Sequence, residues 1–131
     1  MNIVKNRVTL EDIAAEITER HYFTALDGIN QVAANEGDNI YGHKHPTALL
    51  TFCVLVTRNG FTVVGKSACA APENFNAQLG REIAEKDAIA QVWPLLGYEL
   101  RSKLHAQETE GQTVPRSGST RATFRGVRAM F

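Results

Sequence analysis

The spacing of apolar positions switches between helical and strand periods along the chain, and each switch marks an element. Behind Thr9, the residues Leu10, Ile13 and Ile17 recur at helical spacing with Glu11 and Asp12 in the first turn, which predicts a capped helix from about Leu10 to Arg20. The runs Leu49 to Thr57 and Phe61 to Val64 are short, rich in β-branched and aromatic residues, and divided by Arg58-Asn59-Gly60, which predicts a β-hairpin. Taking Asn59-Gly60 as a two-residue turn pairs Val56 with Val63, Val54 with Gly65, Phe52 with Ser67 and Leu50 with Cys69. Phe52, Val54 and Val56 then point to the core, and Thr51, Cys53, Leu55 and Thr57 form a mixed face open to contacts. After Ala70-Ala71-Pro72-Glu73-Asn74, a helix-start sequence, the helical period returns: Phe75, Leu79, Ile83, Ile89, Val92 and Trp93 form one stripe. Arg81, Glu82, Glu85, Lys86 and Asp87 lie off it, with Arg81–Glu85 and Glu82–Lys86 as surface charge pairs. Pro94 predicts a stop or kink, with a further helical segment from Leu95 to Leu104.

Between these elements the periodicity fades. Asp27-Gly28 predicts a bend, and Asn30 to Pro46 a long loop with a helical turn around Gln31 to Ala34. From Ala106 onward Gly, Pro, Ser and Arg dominate, which predicts a flexible stretch ending in a basic amphipathic segment around Phe124, Val127 and Met130. The fold class is therefore α+β: one compact domain over residues 1–105, with an N-terminal helix and a β-hairpin covered by a long, Pro-kinked helix, then a flexible basic tail over residues 106–131. A lone hairpin is marginal in water, so the fold calls for further strands from the loop, extending the hairpin to a small antiparallel sheet, or for hairpin pairing in a homodimer or higher homo-oligomer.

Composition narrows the setting. A chain of 131 residues with 44% hydrophobic content suits one soluble domain. No apolar run approaches the roughly 20 residues of a membrane span, and Met1 to Lys5 opens no signal peptide, so the expected location is the cytoplasm of the cell that makes it. Two cysteines fit a reducing compartment; in the register above they face opposite ways, Cys69 inward and Cys53 outward, which argues against a bridge between them. The net charge is zero, yet all 14 acidic residues lie at or before Glu110, and Arg116, Arg121, Arg125 and Arg128 lie after it. The tail is thus basic and the body acidic.

The segments Leu50-Thr51-Phe52-Cys53-Val54-Leu55, Arg58-Asn59-Gly60-Phe61-Thr62-Val63 and Gly65-Lys66-Ser67-Ala68-Cys69-Ala70 carry a family resemblance. It continues through Pro72-Glu73-Asn74-Phe75-Asn76-Ala77, Gly80-Arg81-Glu82-Ile83-Ala84 and Ala88 to Tyr98, and reaches back to His21-Tyr22-Phe23-Thr24-Ala25-Leu26-Asp27-Gly28. Together these resemble the small tailed-bacteriophage proteins grouped as the gene-product forty-nine / gene sixty-six family, over most of Ile13 to Leu104. The resemblance implies a phage protein, so the cytoplasm in question is the host's, and it implies no particular reaction. The plan of hairpin, turn and helix is also similar to phage proteins that sequester cyclic-nucleotide immune signals.

Candidate chemistry is sparse. No P-loop, dinucleotide glycine fingerprint, Cys-x-x-Cys pair or nucleophile elbow occurs, so no catalytic residue, cofactor or metal is assigned. His21 has no nucleophile or carboxylate placed beside it by local spacing and reads as a packed or surface histidine. His43 and His45 have a chelating spacing without a third ligand, and Glu73, Glu82 and Glu85 suit a solvated helix face as well as acid–base work. Anion binding is better supported: Arg58, Lys66, Arg81 and the tail residues Arg116, Arg121 and Arg125 could close on a phosphate at the helix start by Asn74, although Glu73 opposes an anion there. Tyr98 could stack a base, whereas Phe75 reads as core. Three readings follow: a non-enzymatic phage accessory protein, for host takeover or anti-defence, that sequesters a nucleotide-type signal; one that binds and inhibits a host protein; or a nucleic-acid binder acting through its arginine tail.

Overall fold

A computed structural model describes residues 6–110. The element order is α1 (Leu10–Glu16), β1 (Ile17–Thr24), α2 (Ala25–Asn35), a 3-10 turn (Pro46–Leu49), β2 (Leu50–Thr57), β3 (Thr62–Ala68), a second 3-10 turn (Pro72–Asn74) and α3 (Ala77–Glu110). The three strands form one antiparallel sheet in the order β1-β2-β3, and α3 lies across one face of it. The architecture is α+β, as the sequence pattern predicts, with the hairpin extended by a strand from an unexpected place.

That strand is β1. The first helix was expected to reach Arg20 but ends at Glu16, and Ile17–Thr24 becomes extended and pairs with β2 from Ile17↔Thr57 to Thr24↔Thr51. Its β-branched and aromatic residues suit a pleated surface, and pairing with the central strand outweighs the helical spacing of Ile17. Thr9 caps α1 as expected, its hydroxyl accepting from the Asp12 amide while the Asp12 carboxylate accepts from the Thr9 amide. The same reciprocal box recurs at Thr24 and Asp27 and starts α2, so Asp27-Gly28 opens a helix where a bend was expected. The loop after α2 is tied back by Asn30, which exchanges two hydrogen bonds with the Tyr41 backbone at 2.8 and 2.9 Å.

The hairpin turn also differs from expectation. Thr57 pairs with Phe61 across a three-residue loop, with Gly60 at φ +86° and no positive φ at Asn59. A two-residue turn of the expected kind needs positive φ at both central residues, which costs less at Gly than at Asn. The Asn59 side chain secures the longer loop instead, accepting from the Thr57 hydroxyl at 2.7 Å and the Phe61 amide at 3.1 Å. The register therefore shifts by one residue, to Leu55↔Val63 and Cys53↔Gly65, and β2 turns over: Thr51, Cys53, Leu55 and Thr57 are buried under α3, while Phe52, Val54 and Val56 lie on the uncovered face.

Helix α3 meets the sheet through small side chains. Its buried positions are Gly80, Ala84, Ala88 and Val92, one face of the helix at four-residue spacing, while Leu79 and Ile83 of the expected stripe are about half exposed and Phe75, Ile89 and Trp93 are half-buried. Small side chains let the helix backbone approach the sheet closely, and Gly65 opposite them supplies the space: a Cβ there would collide with the Ala84 carbonyl oxygen and the Ala88 amide nitrogen. The helix begins only at Ala77, with the Asn76 side chain accepting from the Leu79 amide. It then runs through Pro94 to Glu110, past the boundary at 105. Ala90 and Pro94 are both exposed, so the Ala90 carbonyl, which loses its partner at proline, is open to water. Neither expected charge pair forms: Glu85 pairs with Arg20 of β1 at 3.1 Å, and Glu82 accepts from Gln78.

Cys53 and Cys69 are both free. Their burial is the reverse of the expectation: the register shift turns Cys53 inward, where it is fully buried, while Cys69 keeps its facing but lies just past the end of β3 and is partly exposed. They share a face but sit about 13 Å apart along the strands, too far for a bridge. Desolvation first and the Glu85 carboxylate second push the Cys53 thiol above its ordinary pKa, against a smaller pull from Arg20. A thiol reagent at neutral pH is expected to titrate Cys69 in the native protein and to reach Cys53 only after denaturant is added; equal native rates for both would contradict this packing.

Candidate functional site

The elements leave a groove at the hairpin end of the sheet, between α1, the hairpin turn and the middle of α3. One part, of about 360 Å³, is lined by Arg7, Val8, Asp12, Glu16, Arg58, Leu96, Leu100 and Lys103 among others. A second part, of about 220 Å³, shares Glu16, Leu96 and Glu99 with the first and adds Asn59, Phe61, Val92 and Leu95. The floor is apolar, from Val92, Leu96 and Leu100. The rim carries Arg7, Arg58 and Lys103 against Asp12, Glu16 and Glu99.

Ion pairs fix much of that rim. Glu16 is buried, with its side chain 9% exposed, and Arg58 donates to its Oε1 from Nη2 at 3.0 Å and Nε at 3.3 Å. The Arg58 amide also donates to the Glu16 carbonyl at 2.9 Å, so the hairpin turn is fastened to the end of α1 by backbone and side chain together. A carboxylate buried to this degree requires its partner, and the pairing holds the guanidinium at the groove mouth. Lys103 pairs with Glu99 at 3.3 Å, one turn apart on α3. Arg7 makes no ion pair among the described residues.

The residues singled out in the sequence are spread over the molecule. Arg58 lines the groove. Lys66 is on β3, on the uncovered face of the sheet, and its amide donates to Asp87 at 2.9 Å. Arg81 sits over the ring of Tyr22, 5.8 Å from its centroid, near the start of α3. Asn74 closes a 3-10 turn and does not head α3, where the Asn76 side chain accepts from the Leu79 amide. Tyr98 is on α3 and largely exposed. Arg116, Arg121 and Arg125 lie outside the described residues, as does the rest of the tail from Gly111. Arg7, Glu99 and Lys103 were not singled out, because only the packing of α1 against α3 brings them beside Arg58.

Other titratable groups are engaged structurally. His21 is 2.9 Å from Glu19 on the uncovered face, and the His45 Nδ1 is 2.7 Å from the Thr47 hydroxyl. Among the described residues no group of three or more His, Cys, Asp or Glu could hold a metal ion, and no helix is long and apolar enough to cross a membrane. Tyr22, packed under Arg81, has its phenol pushed above its ordinary pKa by burial and then by Glu85.

The fold and the groove define a small α+β protein: a three-stranded antiparallel sheet, one long helix on one of its faces, and a mixed-charge groove at the hairpin end. The chain belongs to the Phage protein (N4 Gp49/phage Sf6 gene 66) family, whose model matches residues 8–104, and it is a bacteriophage protein. No curated protein and no solved structure matches it.

Proposed function

We propose that this chain is a non-enzymatic phage accessory protein that acts in the host cytoplasm by sequestering a nucleotide-type immune signal. The observation that carries this reading is the make-up of the groove, an apolar floor under a rim that holds two guanidinium groups and an ammonium. A nucleobase gains from burial on Leu96 and Leu100 and from the exposed ring of Phe61, while phosphate oxygens suit the forked donors of Arg7 and the edge of the Arg58 guanidinium turned away from Glu16. The rim also carries the carboxylates of Asp12, Glu16 and Glu99; Glu16 and Glu99 are each paired with a cation and Asp12 accepts from the Thr9 amide, which lowers their repulsion of an anion. The volume of about 360 Å³ lies within the roughly 300–1,000 Å³ range of small-molecule sites.

Calorimetric titration with a panel of cyclic mono-, di- and trinucleotides tests this. At least one member is expected to bind with micromolar or tighter affinity, and Arg7→Ala to weaken that binding by about tenfold or more, the loss of one charge-assisted contact. Absence of heat across the panel would overturn the reading. A second reading, inhibition of a host protein, is favoured by Leu79 and Ile83, which present a half-exposed apolar ridge one turn apart on the flank of α3. It predicts one stoichiometric host protein in a pull-down that Leu79→Asp abolishes. Nucleic-acid binding rests on arginines outside the described residues and has no comparable support.

A further inference from the structure

Among the described residues, the face of the sheet turned away from α3 carries a row of apolar side chains that no helix covers as α3 covers the other face. Phe23 of β1 and Phe52 of β2 are in ring contact on it, with centroids 5.6 Å apart, and Val54, Val56 and Val64 continue the row. Phe23 and Val64 are 38% and 51% exposed although β-strands present such residues to a core. We infer that this face packs against the same face of a second copy, giving a two-fold dimer of sheets with α3 on the outside.

The arrangement of charge on the face favours a copy of the chain over a different partner. Val54 is at the centre, opposite His21 on one side and Val64 on the other. Glu19, which is also 2.9 Å from His21 on its own strand, pairs with Val56 and Lys66 with Phe52, so the acid and the base occupy diagonally opposite corners, each about 8 Å from Val54. A two-fold axis through Val54 in the plane between the sheets can exchange those corners, which lays each Glu19 over the partner copy's lysine at the other end of the diagonal, twice over. This places the strands of the two copies at a steep crossing angle, one of the two ordinary ways in which sheets stack. An isologous contact needs a surface complementary to itself, and this pattern is.

Growth of the sheet edge to edge is closed on one side. Alternate residues of β3 turn their backbone groups away from β2, and α3 occupies them: Asp87 accepts from the Lys66 amide at 2.9 Å and Gln91 donates to the Val64 carbonyl at 2.6 Å. The face itself is three strands wide and about seven residues long, a footprint on the order of 400 Å² per copy, below the ~800 Å² of a standard interface. A weak dimer is therefore expected, one that dissociates in the micromolar range. No ligand is required, so dimer formation and nucleotide binding can succeed or fail separately.

Sedimentation of the full chain between about 1 and 100 μM reads the assembly directly. A shift from the 14.4 kDa monomer to a species of twice that mass is expected. Val54→Asp should abolish it. Lys66→Glu and Glu19→Lys, both at exposed positions, should each weaken it by about tenfold or more, and the double exchange should restore it because the pair is rebuilt with its signs reversed. A wild-type monomer at 100 μM overturns the proposal. So does a dimer unaffected by Val54→Asp, which would point to pairing along the free edge of β1. If Val54→Asp fails to fold, the charge exchange decides, and a double variant no better than the singles overturns it too.

Discussion

Gly65→Ala is expected to cost the domain about 3 kcal/mol or more, a large share of the ~5–15 kcal/mol that holds a domain of this size together. Gly65 has no positive φ, so backbone freedom is not why glycine stands there. The reason is space. A Cβ at this position would meet the Ala84 carbonyl oxygen and the Ala88 amide nitrogen of α3, with the Ala88 Cβ at 2.8 Å. Two of these three atoms are helix backbone, which cannot rotate away as a side chain can. The whole helix must therefore lift, and the contacts of Gly80, Ala84, Ala88 and Val92 with the sheet loosen together. Denaturant unfolding followed by circular dichroism measures the loss. A loss under about 1 kcal/mol would mean that α3 does not lie this close to the sheet.

The same close approach explains what was hidden in the sequence. A stripe search weighs large apolar residues, so Leu79 and Ile83 attract it, yet the contact is made by the small residues one position further on, where helix and sheet backbones nearly touch. Once a glycine faces the helix, bulk at the contact is excluded and the larger side chains are displaced to its flanks. The strand β1 was obscured because its outward and inward rows both carry polar residues, Glu19 and His21 on one side and Arg20 on the other. Arg20 can point toward α3 only because Glu85 waits there, a partner 65 residues away in sequence. The family, the fold class and the cap at Thr9 were legible, since each rests on neighbouring residues. The groove was not, beyond Arg58: Arg7 and Lys103 come together only through tertiary packing, and no local spacing announces it.

The register of the hairpin gives the second large effect. A shift of one residue exchanges the two faces of β2, so Leu55 and Val54 report opposite outcomes. With Leu55 fully buried in the cluster formed with Ile13, Ile17, Cys53 and Val92, Leu55→Ala is expected to lower the unfolding free energy by about 2–5 kcal/mol, the loss of transferred surface plus the cavity left behind. Val54 is half-buried on the face away from α3, and Val54→Ala, measured at a concentration where the chain is monomeric, should cost about 1 kcal/mol or less. The two-residue Asn59-Gly60 turn would reverse that order, placing Val54 in the core and Leu55 outside. Denaturant curves of the two variants therefore distinguish the turns. A larger loss for Val54→Ala than for Leu55→Ala would return the two-residue turn, and would also put Cys53 within reach of the thiol reagent, so the two measurements must agree.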